Sequence, residues 1–296
     1  MSTKSVFVTI VGRPNVGKSS LLNVFVGEKV AIVSPKPQTT RMRITGVLTK
    51  NEIQLVFIDT PGMHKPRTKL GEHMVKQINS SVADVDVAIL MTEASGEIRS
   101  SEINLMESFK AKKIPAVLAV NKIDTLKQKE QMMDKILKFS ELFKFDEIVP
   151  ISVLKRDGVD ILLSIIERYA KPAPHFFDGD DYTDQTERAI ISEMVREKVL
   201  MNMNDEIPHG TVVEIEEMKE RENGEIADIR AVIYCEKQSH KAMIIGKNGE
   251  RLKKIGSQAR VEIERLLGLK VNLQCWVKVR QDWRNSAGNL RQFGFQ

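Results

Sequence analysis

The sequence predicts an α/β fold in two domains: a mostly parallel sheet with helices on both faces, then a smaller α+β domain. Three observations predict it. Short apolar, β-branched runs alternate with helix-period stretches through residues 1–170. The segment KPAPHFFDGDDYTDQ (171–185) then breaks the alternation with two prolines, four aspartates and no helical period, as a linker does. Residues 186–296 resume in a different order, helix-strand-strand-helix-helix-strand, so they do not repeat the first part.

In chain order, strands are expected at SVFVTIV (5–11), IQLVFID (53–59), DVAILM (86–91), PAVLAVN (115–121) and EIVPIS (147–152). Each is short and rich in Val, Ile and Leu, the composition of strands buried on both faces. Helices are expected at 18–26, 69–83, 100–112, 129–143 and 158–169. MRITGVLT (42–49) lies next to 53–59 with only a short polar connection, so these two should form the one antiparallel hairpin. In the second part a helix at 186–203 precedes strands at 211–218 and 225–236, joined by a turn at ENG (222–224). Two helical stretches around GKNG and a strand at 271–279 complete it.

A chain of 296 residues is long enough for each domain to bury its own core. No apolar run approaches a membrane span and the first residues carry no signal-peptide pattern, so the expected location is the cytoplasm. Cys235 and Cys275 lie in β-branched or apolar surroundings and are expected as buried thiols in strands. The five histidines lack ligand spacing, which argues against a protein-ligated transition metal. The net charge of +5 is unevenly spread: residues 231–296 hold 13 Lys+Arg against 5 Asp+Glu, and the rest 32 against 35. A basic C-terminal quarter suits an anionic partner such as nucleic acid, and equally a solvated basic face.

GRPNVGKS (12–19) fits G-x-x-x-x-G-K-[ST] where a strand gives way to a helix, the context in which backbone amides face phosphates. Gly12 and Gly17 allow the tight loop, Lys18 reaches the β/γ-phosphates, and Ser19 ligates Mg²⁺. The loop and first helical turn, Asn15, Val16, Gly17, Lys18, Ser19 and Ser20, are the expected phosphate cradle. NKID (121–124) follows a strand at its carboxyl end, where open α/β sheets bind ligands. Asp124 can accept from guanine N1 and N2, Asn121 can bond the base edge and tie its loop to the phosphate loop, and Lys122 can lie along the base. Adenine offers Asp124 no such donors, so the nucleotide is read as GTP.

With GRPNVGKS, Thr40 in QTTR, DTPG (59–62), NKID and ISVL in that order, the chain resembles the GTPases of the translation-factor class. The resemblance implies that Thr40, preferred to its neighbour Thr39, closes on Mg²⁺ and the γ-phosphate. Asp59 would hold Mg²⁺ through water, the amide of Gly62 would sense the γ-phosphate, and Ser152-Val153 would stand where Ser-Ala is usual. Lys18, Thr40 and Gly62 are thus the implied catalytic set. In DTPGMH (59–64) Met63 occupies the place of the glutamine that orients water in many GTPases. The resemblance implies slow turnover without it. The amide oxygen of Asn15 could hold K⁺ beside the phosphates, or Asn15 could simply shape the loop; both readings stay open.

HKAMIIGKNGERLKKIG (240–256) contains Gly-Lys-Asn-Gly between helical stretches, and resembles the GXXG turn of a type II KH domain. Ile245, Gly246, Lys247, Asn248, Gly249, Arg251, Lys253 and Lys254 are the expected RNA contacts, with Ile245, Leu252 and Ile255 as a groove floor. Trp276 and Trp283 are expected in the core. A P-loop GTPase domain (1–170), a linker (171–185) and a KH domain (186–296) together resemble the Era-like GTPases over essentially the whole chain, including WVKV, DWRN and LRQFGF. That resemblance implies single-stranded RNA near the 3′ end of 16S rRNA as ligand, the 30S subunit as partner, and GTP/GDP with Mg²⁺ as cofactors. A peripheral contact with the inner membrane stays open. The alternatives are a GTP-gated RNA-binding module that does not hydrolyse, or a tRNA-modifying or metabolic GTPase; the latter would need a nucleophilic cysteine or second cofactor site.

Overall fold

A computed structural model describes residues 3–36, 39–62, 68–81, 85–128, 130–203, 207–222 and 224–295. Met63 and its neighbours through Arg67 therefore lie outside the described residues, as do Pro37 and Gln38. The chain divides into two compact units: 1–31, 40–66 and 74–184 form one, and 32–39, 67–73 and 185–296 the other.

The first unit is built on β1 (Lys4–Gly12), β2 (Ile44–Lys50), β3 (Ile53–Asp59), β4 (Val87–Glu93), β5 (Ala116–Asn121) and β6 (Glu147–Pro150), in the order β2-β3-β1-β4-β5-β6. Only β2 runs antiparallel along this path, paired with β3 from Ile44↔Asp59 to Lys50↔Ile53. Asn51 supplies the left-handed residue (φ 56°) that its tight turn needs, a conformation asparagine tolerates better than most. Connecting the strands are α1 (Lys18–Val26), α2 (Lys69–Ser81), α3 (Ser100–Lys112), α4 (Glu130–Leu142) and α5 (Val159–Glu167). Val6, Val8, Ile10, Leu55 and Phe57 face one layer with Leu21, Leu22 and Leu162. Val11, Ala88, Leu90 and Leu118 face the other, with Phe109 and Phe139. Alternate residues of one strand thus feed two cores, which is why these strands are apolar throughout.

The segment beyond 170 is no free tether. β7 (Lys171–Pro172) pairs antiparallel with Ser5 and Lys4, a second antiparallel contact beyond the single expected hairpin. The start of β1 has an edge to offer because β4 joins it only from Val8 onward. A proline at such an edge costs no ladder bond. Further along, Phe176 N–H donates to Gln54 Oε1 (2.7 Å), Gln54 Nε2 to Phe177 O (2.9 Å), and Val47 N–H to Tyr182 O (2.9 Å).

In the second unit, α6 (Glu187–Asn202), β8 (Val212–Glu220), β9 (Ile226–Cys235), α7 (Gln238–Ile245), α8 (Glu250–Leu267) and β10 (Lys270–Val279) follow the expected order, and α9 (Ala287–Gln292) adds a closing helix that the sequence reading did not include. The sheet order is β10-β9-β8, with β10 parallel and β8 antiparallel to β9. Ile191, Val195, Ile233, Ile255, Ala259 and Ile263 fill the core between helices and sheet. Thr186 caps α6, its hydroxyl accepting from Ala189 N–H.

The two tryptophans part company. Trp283 is wholly buried, donates from Nε1 to Gly210 O (3.0 Å), and packs against Phe293 and Phe295. Trp276, expected in the core, is instead 57% exposed. It falls on the face of edge strand β10 shared with Lys270, Asn272, Gln274 and Lys278, opposite the face carrying buried Val271 and Val277. Cys235 is buried as expected, whereas Cys275 is only partly so; both are free thiols.

Candidate functional site

The phosphate loop begins as β1 ends. α1 starts at Lys18 with Gly17 as its left-handed cap (φ 107°), so the free amides of the first turn point out of the loop. A side chain at Gly17 would put its Cβ 2.4 Å from Asn121 Nδ2. Lys18 is buried and donates from Nζ to Gly12 O (3.1 Å) and Arg13 O (2.9 Å). Burial pushes its pKa down to about 8, against the opposing pull of Asp59. Phosphate oxygens favour the charged ammonium, so binding nucleotide raises this pKa and takes up a proton above about pH 8. GDP affinity should therefore fall about tenfold between pH 7 and pH 9, with proton uptake at the higher pH. Calorimetry in buffers of different ionisation heat checks this; a flat affinity over that window would contradict it.

Ser19, Thr40 and Asp59 converge beside Lys18. Ser19 Oγ donates to Asp59 Oδ2 (2.6 Å) and lies 2.8 Å from Thr40 Oγ1, which is 3.5 Å from Asp59 Oδ2. Asp59 is fully buried; its Oδ1 has no hydrogen-bond partner, and burial raises its pKa. Hard oxygen donors around an unsatisfied carboxylate oxygen suit Mg²⁺, which Ser19 and Thr40 would ligate directly and Asp59 through water. Such an ion would supply the charge that keeps Asp59 ionised. Thr39 is engaged elsewhere: its hydroxyl donates to Lys36 O (2.6 Å) and meets Ser34 Oγ (2.8 Å). Thr40, not Thr39, is thus the threonine whose hydroxyl lies beside Ser19 and Asp59. Gly62 abuts the loop, since a Cβ there would sit 2.8 Å from Pro14 Cα. Val16 packs its side chain into the core, Ser20 lies half-buried in the first turn of α1, and exposed Asn15 takes a left-handed conformation (φ 64°).

The guanine loop follows β5. Asn121 Nδ2 donates to Val16 O (2.8 Å), the tie expected between this loop and the phosphate loop. Asp124 sits in the short 3₁₀ turn Ile123–Thr125, and Ser152 Oγ donates to its Oδ1 (2.5 Å), fixing the carboxylate. The Val153 amide donates to Asn121 Oδ1 (3.1 Å), so in this arrangement it orients Asn121.

In the second unit, α7 and α8 meet at the turn Lys247–Gly249. A Cβ on Gly246 would lie 2.8 Å from Arg251 Cβ, and its φ of 74° disfavours any side chain. Beside the turn runs a cleft of about 360 Å³ between α8 and β10, lined by Gly249, Leu252, Lys253, Arg260, Asn272 and Cys275 among others. Lys253 and Arg260 are the charged residues of this lining, both cationic.

A family model described as "50S ribosome-binding GTPase" matches residues 7–122, and one described as "KH domain" matches 206–284. GTPase Era of Ruminiclostridium cellulolyticum is 51% identical over 296 residues, covering 100% of this chain and 99% of its own. The chain belongs to the Era GTPase family. GTPase Era of Clostridioides difficile is also 51% identical, over 292 residues, 99% of this chain and 98% of its own. The solved structure of an Aquifex aeolicus Era variant bound to GDP and aluminium fluoride matches with a TM-score of 0.94 at 38% identity, covering 99% of each chain. Era in complex with MgGDPNP and nucleotides 1506–1542 of 16S ribosomal RNA matches with the same score, identity and coverage.

Of the RNA contacts expected for this Era-family chain, Gly249 and Lys253 line the cleft. Lys247, Asn248 and Lys254 are exposed but do not line it, while Arg251 donates to Met243 O and braces the turn. Of the expected floor, Leu252 lines the cleft, but Ile255 is wholly buried in the core and Ile245 packs partly against it. Sequence reasoning missed Gly256, Ser257, Arg260 and the β10 residues Asn272, Leu273 and Cys275. The signal was there: 253, 256, 257 and 260 recur at helical spacing. What could not be read was that β10 lies against this face, close enough that a Cβ on Gly256 would be 3.6 Å from Cys275 Sγ. Burial pushes the Cys275 thiol up to about 11, which keeps it protonated and unsuited to act as a nucleophile.

The second unit also contains residues 32–39, which lead directly into Thr40. Within it, three consecutive charged residues of α6, Arg196, Glu197 and Lys198, are buried. Arg196 Nη2 donates to Thr39 O, and Val33 N–H donates to Glu197 Oε1 (2.8 Å). Lys198 Nζ bridges Glu197 (2.6 Å) and Glu262 of α8 (2.5 Å). Most of these charges are paired, which makes such a row tolerable in a core, while Arg196 Nη1 is buried without a hydrogen-bond partner.

Proposed function

We propose that this Era-family GTPase binds single-stranded RNA from the 3′ region of 16S rRNA at the α7–α8 turn and its cleft. On this reading it serves as a GTP-dependent switch in maturation of the 30S subunit, in the cytoplasm. The observation that carries the reading is the cleft: a glycine turn that lets a backbone approach, next to a groove of mixed polar and apolar lining whose charged residues are Lys253 and Arg260. The likeness to an Era structure holding a 16S rRNA fragment supports the same choice of RNA. Among the described residues no helix is long and apolar enough to cross a membrane.

GTP hydrolysis to GDP and phosphate would use Lys18, Thr40 and the Gly62 amide as its positioning set. Lys18 holds charge against the β/γ-phosphates, Thr40 closes over the cation, and Gly62 brings its amide to the γ-phosphate side of the loop. Mg²⁺ neutralises phosphate charge when bound. Met63 offers no group to orient water, so slow basal turnover is expected, with K⁺ at Asn15 as an optional source of positive charge.

The paired row on α6 supports a coupling of the two activities. Loss of γ-phosphate frees Thr40, and with it the segment held by Arg196 and Glu197; Lys198 carries that change to Glu262 on α8, the helix that begins at the glycine turn. RNA crosslinking followed by sequencing tests the binding site, comparing wild type with Gly246→Asp/Gly249→Asp. One discrete small-subunit site lost in the variant is expected; an unchanged spectrum would sink the RNA assignment. Equal RNA affinity with GTP, GDP and no nucleotide would sink the coupling alone.

A further inference from the structure

A cluster of charged side chains in the first unit has no part in the contacts described so far. Arg13, the second residue of the phosphate loop, places Nε 3.3 Å from Glu102 Oε1 and Nη2 3.9 Å from Glu93 Oε2. Glu102 is wholly buried and held on α3 by two donors, Thr92 Oγ1 (2.7 Å) and the Arg99 amide (2.9 Å). Arg13 is therefore one cation beside a fixed, buried carboxylate, with Lys135 a second within its field. Glu93, at the end of β4, also receives Lys122 Nζ from the guanine loop. The backbone around Glu93 is itself pinned: Lys135 Nζ donates to Glu93 O (2.6 Å) and Ser95 O (2.9 Å), and Ala94 N–H donates to Asn121 O (2.7 Å).

These contacts form a path from the residue that lies along the base to the loop that holds the phosphates. Lys122 meets Glu93, Glu93 meets Arg13, and the Arg13 carbonyl accepts from Lys18 Nζ (2.9 Å). It runs beside the direct tie from Asn121 to Val16, and on the opposite side of Arg13 it ends on immovable Glu102. We infer that Arg13 and Glu93 are positioning residues that tie the guanine loop to the phosphate loop, so that a seated base holds the phosphate loop closed. Each would act on the nucleotide through Lys122 or Lys18. Groups in one charged network lose their effects together rather than additively.

Dissociation of fluorescently labelled GDP provides the test, in a cycle of Glu93→Gln, Lys122→Met and the double variant. Each single change should raise the dissociation rate about tenfold, and the double variant should match a single one rather than reach a hundredfold. Arg13→Lys should stay within about threefold of wild type, while Arg13→Met should resemble Glu93→Gln. Removing Arg13 strands the Glu102 charge, so Arg13→Met/Glu102→Gln keeps the test usable if Arg13→Met folds poorly. A multiplicative double variant would overturn the proposal. So would single variants that leave the dissociation rate unchanged, whether or not the melting temperature of the nucleotide-free protein drops.

Discussion

Asp124→Asn is expected to weaken GDP binding about a thousandfold while xanthosine diphosphate becomes the better ligand. On the proposed reading Asp124 would present two carboxylate oxygens to guanine N1–H and N2–H₂, and hydrogen bonds to a charged acceptor contribute about 1.5–3 kcal/mol each. An amide there keeps one acceptor and turns a donor toward the guanine amine, so about 4 kcal/mol is lost. Xanthine carries an oxygen in place of that amine and accepts the donor. The carboxylate cannot evade the test by rotating, because Ser152 Oγ holds Oδ1 at 2.5 Å. Titration with labelled GDP and XDP gives the answer, and a loss of under tenfold would mean another group reads the base.

Trp283→Ala is expected to destabilise the second unit by about 3–5 kcal/mol, the range for deleting a large buried aromatic. The indole is wholly buried, with its N–H spent on Gly210 O and its faces and edges against Phe293 and Phe295. Removing it opens a cavity and leaves a carbonyl without its donor. The chain has two units, so one midpoint does not describe its unfolding. Urea titration followed by labelled GDP for the first unit and by RNA anisotropy for the second separates them. A shift below about 1 kcal/mol in the second transition would show that the C-terminal segment contributes little.

Much of the nucleotide site was legible because it is local. GRPNVGKS carries its strand-to-helix context with it, and NKID ends a recognisable strand, so short-range rules place Lys18, Ser19 and Asp124. The choice between Thr40 and Thr39 was not local. It depended on which hydroxyl the chain swings next to Ser19 after a stretch with no regular structure. Trp276 misled for a related reason. It was expected in the core, but on an edge strand the alternation decides which face is covered, and a slip of one residue reverses it. Nothing local marks Arg196, Glu197 and Lys198 as buried, and only their partners on other segments explain why they are.

By itself, then, the amino-acid order determined the main strands and helices of both units, though not β7 or α9, together with the guanine nucleotide and the glycine turn, because each rests on periodicity or on a motif whose parts are adjacent. The tertiary structure alone decided what long-range packing controls. It set the antiparallel docking of Lys171–Pro172 on β1, the cleft made where β10 meets α8, and the charged path joining Lys122 to Arg13. Those features pair residues about 20 to more than 160 positions apart. Only the burial of shared apolar surface brings such groups within a few ångströms, and no local pattern encodes which partner each will find.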